Sequence, residues 1–377
     1  MITSKVVADS IDKRGNRITT ALITLPRIIL SELNTHRMLS KNSASSRAIP
    51  FNKMIESVQT NPFIPIAWQK DHKGMQGTEY ITDNYTISLC QDEWLKARDN
   101  TVESAEQLNG GYVQNDIKFG QVTKQLCNRL LEPFMWHTVL ITGTDDGWRN
   151  FFDLRCPQYY HPLSNKVYKS KKDFIHFNFH PDNPNEKLYI TPDNETEWLQ
   201  INKGQAEIHM MALAECIWDS FNESKPRLLE NGDWHIPFED KIMMDLLTDI
   251  HSGKEVNDNI SLIKVSTGMA ARTSYTVVGD EKEIDYNTLL RVHDKCLEMK
   301  HSSVFEHCAR AMNDDEYNGY IKGNIHDFVD RELQKDIKTK TGKTFITGEV
   351  TDKSLGWCRN YKGFIQYREF VENGLTI

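Results

Sequence analysis

Two alternating runs at the start of the chain constrain its fold more than any other feature. VVADSI (6–11) and RITTALITL (17–25) flank DKRGN, where Gly15-Asn16 is a turn signal, and Pro26 closes the second run. A period of two puts alternate side chains on one face, so this segment is predicted to be an antiparallel hairpin. From Ile28 the period lengthens, with Ile28, Ile29, Glu32, Leu33 and His36 at helical spacing. A hairpin running into helices predicts an α/β (α+β) chain, with a mixed antiparallel sheet and flanking helices.

Further helices are expected over 92–108 and over 121–141, the latter interrupted near Pro133, with a loop at 60–90 before them. Residues 157–204 differ in character: KSKK (169–172), PDNPNE (181–186) and PDNET (192–196) surround one alternating strand, DFIHFNFH (173–180). They are expected to be an insertion or lid. A helix follows over 206–221, with Ile208, Met211, Ala214, Trp218 and Phe221 on one face. Then come a linker (230–238), a helix-rich stretch (239–250), a helix over 286–300 and a polar excursion over 313–345. The 377 residues are expected to form a single catalytic domain, with 1–156 and 205–240 as its core and 260–377 as a lobe completing it.

Charge and cysteine content exclude some classes of function. With 45 Lys+Arg against 53 Asp+Glu the net charge is −8, which argues against non-specific duplex binding as the main task. No run approaches the roughly 18 apolar residues of a membrane span, and the start turns polar at Asp9, unlike a signal peptide. The seven cysteines are scattered without a CxxC, as in a reduced cytoplasmic chain.

Three constellations could carry chemistry. THRMLSKNSASSR packs His36, Arg37, Ser40, Asn42, Ser45, Ser46 and Arg47 into one turn. Guanidinium forks and hydroxyls beside backbone amides bind phosphate well; a solvated, Ser-capped turn would look the same. AARTSY (270–275) and HSSVFEH (301–307) form the second, with His301, Ser303, Glu306 and His307 within seven residues. The six-residue His–His interval does not fall on one helical face, so no metal site is predicted. The third runs from Asn128 to Pro157 and holds Arg129, His137, Asp145, Asp146, Arg149, Asn150 and Arg155, against a plain reading as buried helix. Cys156-Pro157 could supply a nucleophile or be a core thiol.

Together these blocks resemble the flavin-dependent thymidylate synthases. The family signature is Arg-His-Arg, seven residues, then Ser; here Thr35-His36-Arg37 precedes MLSKNSA and Ser45, with Arg47 at the following arginine. AARTSY and HSSVFEH resemble its AARxSY and HxSxxEH blocks, WRNFFDLR its NFxxLR block, and AEIHMMALA its following helix. The blocks stand in permuted order, and GFIQYREF at the end resembles the large permuted members found in some phages and bacteria.

The resemblance implies C5 methylation of dUMP to dTMP, with FAD as cofactor and methylenetetrahydrofolate and NADPH as co-substrates, and no enzyme thiol attacking the base. It implies a circularly permuted fold and a homo-oligomer, tetramer or dimer, whose partners are a pyrimidine deoxynucleotide monophosphate and folate, with no duplex nucleic acid and no membrane. By motif position, His36, Arg37, Asn42, Arg272, Ser274, Ser303 and His307 would hold the flavin, with His301 near its ring. Glu32, Thr35, Ser45, Ser46, Arg47, Arg149 and Arg155 would hold the nucleotide, and Ser45, Arg47 and His301 would be catalytic.

The chain departs from the pattern at four places. Thr35 replaces the first arginine and Ser43 a nucleotide-contacting Glu. Asp145, Asp146 and Gly147 stand where an arginine precedes NFxxLR, and Ile217 stands where the family carries an arginine that helps ionise the uracil. A cation beside the base stabilises a developing enolate. Its loss keeps open a dCMP or other pyrimidine C5 methylase or hydroxymethylase, and a degenerate flavin- or nucleotide-binding protein.

Overall fold

The computed structural model describes residues 1–73, 77, 79–114, 117–162, 164–176, 179–180, 183–187, 191–243, 259–275, 278, 286–321, 337–338, 344–345 and 354–374. In chain order the elements that position the site are β1 (Thr3–Asp12), β2 (Arg17–Pro26), α1 (Leu30–Leu33), β3 (Ser40–Ser43), α2 (Phe51–Thr60), α3 (Asn84–Gly110) and α4 (Lys124–Leu130). They continue with β4 (Trp136–Thr144), α5 (Asp145–Arg155), α6 (Lys171–His176), α7 (Glu195–Ile201), α8 (Ile208–Glu223), β5 (Arg227–Leu229) and β6 (Trp234–His235). The last are α9 (Asn259–Arg272), α10 (Tyr286–Glu298), β7 (Ala309–Ala311), β8 (Phe364–Gln366) and α11 (Tyr367–Asn373).

The predicted hairpin forms: β1 and β2 pair antiparallel from Thr3↔Thr24 to Ile11↔Arg17. Asp12 builds the turn, accepting from the backbone N–H groups of Arg14 (2.9 Å) and Asn16 (2.8 Å), and Gly15 takes φ +84° there. The five-stranded sheet has the order β5-β1-β2-β4-β3, antiparallel except for the parallel β1–β5 edge. This is the mixed sheet with flanking helices that the sequence predicts.

β4 corrects the reading of 121–141 as helix. α4 stops at Leu130, a 3-10 turn covers Glu132–Phe134 at Pro133, and WHTVLITGT is a strand paired on both edges. Both of its faces are buried, so it lacks the polar alternation that reveals a strand and reads as a plain apolar run. Its β-branched Thr138, Val139, Ile141, Thr142 and Thr144 suit a strand better than a helix. The expectation at 173–180 is corrected too. Residues 171–176 form α6, which buries Phe174 against Tyr159 and Trp198; Phe179–His180 is a strand, and 177–178 lie outside the described residues. This small aromatic core is tied to α8, because Glu215 accepts from the Tyr159 hydroxyl (2.9 Å) and the Lys171 N–H (2.6 Å). Residues 244–250 of the helix-rich stretch, and most of 313–345, lie outside the described residues.

The two faces of the sheet differ. One buries Ala21, Ile23, Leu25, Val139 and Ile141 against Trp148, Phe151 and Phe152 of α5 and Met210, Leu213, Ala214 and Ile217 of α8. The other carries a buried polar seam across the strands. Ser10 Oγ lies 2.9 Å from His235 Nδ1, and His235 Nε2 2.8 Å from Thr20 Oγ1. Thr20 Oγ1 meets Thr142 Oγ1 at 2.8 Å, and Thr142 meets His307 Nδ1 at 2.8 Å. A second sheet, β6-β7-β8, closes over this face, and its neighbour Lys362 donates its N–H to Thr144 Oγ1 at 3.4 Å. Ile18 of β2 and Leu229 of β5 share a buried cluster with Ala309, Ala311, Tyr361 and Phe364. Among the described residues no helix is long and apolar enough to cross a membrane.

Candidate functional site

β3 is the edge strand of the sheet, and among the described residues its only sheet partner is β4. Its free side is where two distant segments dock. Asn42, buried on β3, donates from Nδ2 to the carbonyl of Ala270 and to Ser274 Oγ (3.4 Å), and its Oδ1 accepts from Ser303 Oγ (3.3 Å). The Ser45 N–H donates to the Ser274 carbonyl at 2.9 Å. One amide side chain therefore holds together the turn at 34–47, the end of α9 at 270–275 and the 3-10 turn Ser302–Glu306. Ser45, Ser274 and Ser303 are half-buried around it, while Arg47 and His301 are exposed.

A second cluster braces the start of the turn. Arg155, the last residue of α5, donates from Nε to His36 Nε2 (2.9 Å) and from Nη1 to Glu32. His36 is buried edge-on against Phe151, with ring centroids 4.9 Å apart. Burial, then the Arg155 and Lys41 charges, lowers its pKa to about 4, so the ring is neutral and Nε2 accepts. Thr35 Oγ1 donates to the Glu32 carbonyl at 2.7 Å. Arg37 is exposed and has no ion pair among the described residues. Replacing Arg155 with Met should destabilise the fold by about 1–3 kcal/mol in chemical denaturation, because His36 and Glu32 lose their shared partner. Arg149→Ala should change stability by less than about 0.5 kcal/mol, since Arg149 is 75% exposed and paired with Asp145 in its own helix.

Several expected contacts lie elsewhere. His307 is wholly buried in the polar seam, and burial lowers its pKa to about 3. Arg149 is held in a solvated i,i+4 pair on α5. Ser46 is buried, donating to Glu132 Oε1 at 2.6 Å. Ile217 belongs to the core beside Leu213 and Ala214, so that position faces packing. Gly147, standing where the family has an arginine, lets α5 lie against the 38–39 turn: a Cβ there would sit 3.0 Å from the Met38 carbonyl oxygen. Cys156 is buried and its thiol is pushed up by burial, so it is not a poised nucleophile. Among the described residues no group of three or more His, Cys, Asp or Glu could hold a metal ion.

The structure adds residues that the sequence did not single out. Lys41 donates to the carbonyls of His36 (2.5 Å) and Leu39 (2.8 Å), and burial lowers its pKa to about 8 against the opposing Glu306 charge. Asn360 donates to the Met38 carbonyl (3.2 Å) and to Ser40 Oγ (3.0 Å), bringing the carboxy-terminal lobe onto the same turn. The position of Lys41 inside the THRMLSKNS motif could have drawn attention to it. Asn360 carries no local signal, because its role depends wholly on a contact more than 300 residues away in sequence.

No family model matches the sequence, and no curated protein matches it. Among solved structures, the UMP/dUMP methylase PolB from Streptomyces cacaoi, bound with 5-Br UMP, overlaps 59% of this chain and 89% of its own at 12% identity and TM-score 0.36. The same enzyme with 5-Br dUMP overlaps 55% and 67% at 13% identity and TM-score 0.34. Thymidylate Synthase X from Helicobacter pylori, with FAD and dUMP, overlaps 37% of this chain and 58% of its own at 17% identity and TM-score 0.22. Likenesses this distant decide nothing about activity, and the chemistry of the site rests on this chain's own residues.

Proposed function

We propose that the chain is a flavin-dependent pyrimidine nucleotide C5 methylase that converts dUMP to dTMP, with methylenetetrahydrofolate and NADPH as co-substrates. The observation that carries this reading is the meeting of three motif segments at Asn42, which gathers Ser45, Ser274 and Ser303 beside the exposed Arg37 and Arg47. Hydroxyls, and guanidiniums without an ion pair among the described residues, suit the phosphates of a flavin dinucleotide and a nucleotide monophosphate.

FAD, when bound, supplies the carbon and hydride transfer chemistry. Ser274, Ser303 and Arg37 would hold its phosphates and ribitol, with His301 at the mouth. Ser45 and Arg47 would fix the nucleotide phosphate. Arg155, held at the turn by Glu32 and His36, would supply the cation beside the base that Ile217 does not. Lys41 stands next to it as a further donor. No thiol is required, so Cys156→Ala should leave turnover within about twofold while removing a small core group.

Purified protein should carry, or be reconstituted to, about one flavin per chain by visible absorbance. Asn42→Leu should abolish that absorbance while leaving far-ultraviolet circular dichroism unchanged. Protein that cannot be reconstituted with FAD would remove the proposal. Arg47→Ala should weaken nucleotide binding by about 1.5–3 kcal/mol in calorimetry; unchanged affinity would take Arg47 out of the site.

A further inference from the structure

A second concave region lies on the face of the sheet that carries Thr20 and Thr142. β1, the end of α8, residues 236–241 and the end of α9 enclose a cavity of about 690 Å³, a volume in the usual range for small-molecule sites. Val7, Leu22, Ile236, Phe238 and Met269 give it an apolar floor, and Thr24, Thr138 and Thr273 add hydroxyl-bearing positions.

The charges at its rim do not cancel. Of its carboxylates, Asp9 is paired with Arg17 at 2.7 Å and Glu239 with Arg227 at 2.9 Å. Asp240 also lines it, with Lys5, Lys225 and Lys241, which are exposed and have no ion pair among the described residues, and with Arg272 at the end of α9. Three ammonium groups and the Arg272 guanidinium against the Asp240 carboxylate, above an apolar floor, suit a ligand that is anionic at one end and planar and apolar at the other.

The backbone of the floor is an independent observation. Phe238 has φ +63°, in the left-handed region that a bulky residue seldom occupies. It is pinned there by its own N–H donating to the Val7 carbonyl (2.9 Å) and by its carbonyl accepting from Ile242 N–H (2.9 Å). Residues held in such conformations cluster at ligand sites, where the surrounding structure fixes a side chain at a strain cost. Here the fixed side chain is an aromatic ring in the wall of the cavity.

The cavity backs onto the Asn42 site. Thr273 lines it and the next residue, Ser274, accepts from Ser45 N–H; Thr138 lines it and its carbonyl accepts from Ala44 N–H at 3.0 Å. We propose that this cavity is a second binding site, for a ring-bearing phosphate compound of the nucleotide class. The ring lies on Phe238 and the phosphates meet Lys5, Lys225 and Lys241. The inference does not depend on the chemistry at Asn42.

Calorimetry on the full chain tests it, with ATP, NADPH and inorganic pyrophosphate as probes. ATP or NADPH should bind once per chain at this cavity and more tightly than pyrophosphate, because the floor takes the ring. The variant Lys5→Glu/Lys225→Glu/Lys241→Glu should weaken that binding at least about tenfold, and Phe238→Ala should narrow the gap to pyrophosphate. Lys225→Glu alone, at an exposed position, should act in the same direction. Tighter binding by NADPH would identify the reductant as occupant, and tighter binding by ATP a separate effector. The proposal fails if neither nucleotide binds, if the triple variant binds as the native protein does, or if Arg47→Ala abolishes the binding while the triple variant keeps it.

Discussion

Replacing Gly268 with alanine should destabilise the protein by about 3 kcal/mol and abolish ligand binding at the Asn42 site. The same exchange at an exposed helical position would stabilise by about 1 kcal/mol, so the sign itself is informative. Gly268 lies in α9 two residues before Ala270, and a Cβ there would meet backbone of α10: the Leu289 carbonyl oxygen, its carbonyl carbon (3.0 Å) and its Cα (3.1 Å). Backbone cannot rotate away as a side-chain tip can, so the helices must part. The Ala270 carbonyl and Ser274, both bonded to Asn42, would move with α9. Urea denaturation and flavin titration of one variant read both effects. A variant as stable as the native protein, with the ligand still bound, would show that the helix contact does not set the site.

Acid should unfold the protein steeply. His137, His235 and His307 are buried, and burial lowers each pKa to about 3, aided by Arg27 at His137 and by the neighbouring His235 at His307. Unfolded, each takes a proton near pH 6.5. The neutral form is therefore favoured in the fold: the stability it contributes is complete above pH 6.5 and is lost as pH falls from there toward 3. Near pH 5 the unfolded chain binds about three more protons at these sites, a slope of about 4 kcal/mol per pH unit. Urea midpoints at pH 7.5, 6 and 5 measure it, and His307→Gln should lower the slope by about 1.4 kcal/mol per pH unit. A flat profile across that range would contradict the burial of these rings.

The amino-terminal hairpin was legible because two β-branched runs flank a glycine turn; β2 is itself paired on both edges, and it was the turn beside it that gave it away. β4 was not, because a strand paired on both edges and covered on both faces has the composition of a buried helix. α6 failed for a related reason: Phe174 is the one side chain it buries, in a small aromatic core, too little for a helical period to show. At the candidate site, the motif blocks located Asn42, Ser45, Ser274 and Ser303, but nothing local revealed that Asn42 is the hinge pin between them. The histidines split by environment: His36 and His307 read alike in sequence, yet one braces a turn through Arg155 and the other sits in the seam with Thr142. Of the residues that stand where the pattern has arginines, Gly147, in the stretch Asp145–Gly147, allows a close backbone approach, and Ile217 packs in the core.

Mass spectrometry of the nucleotide after incubation with the protein, FAD, NADPH and methylenetetrahydrofolate tests the central claim most directly. With dUMP the account predicts a product heavier by one CH₂ group, formed equally well by Cys156→Ala and lost in Asn42→Leu. Unchanged dUMP alongside methylated or hydroxymethylated dCMP would contradict the uracil assignment. No product from either nucleotide, with flavin bound, would contradict the enzyme itself.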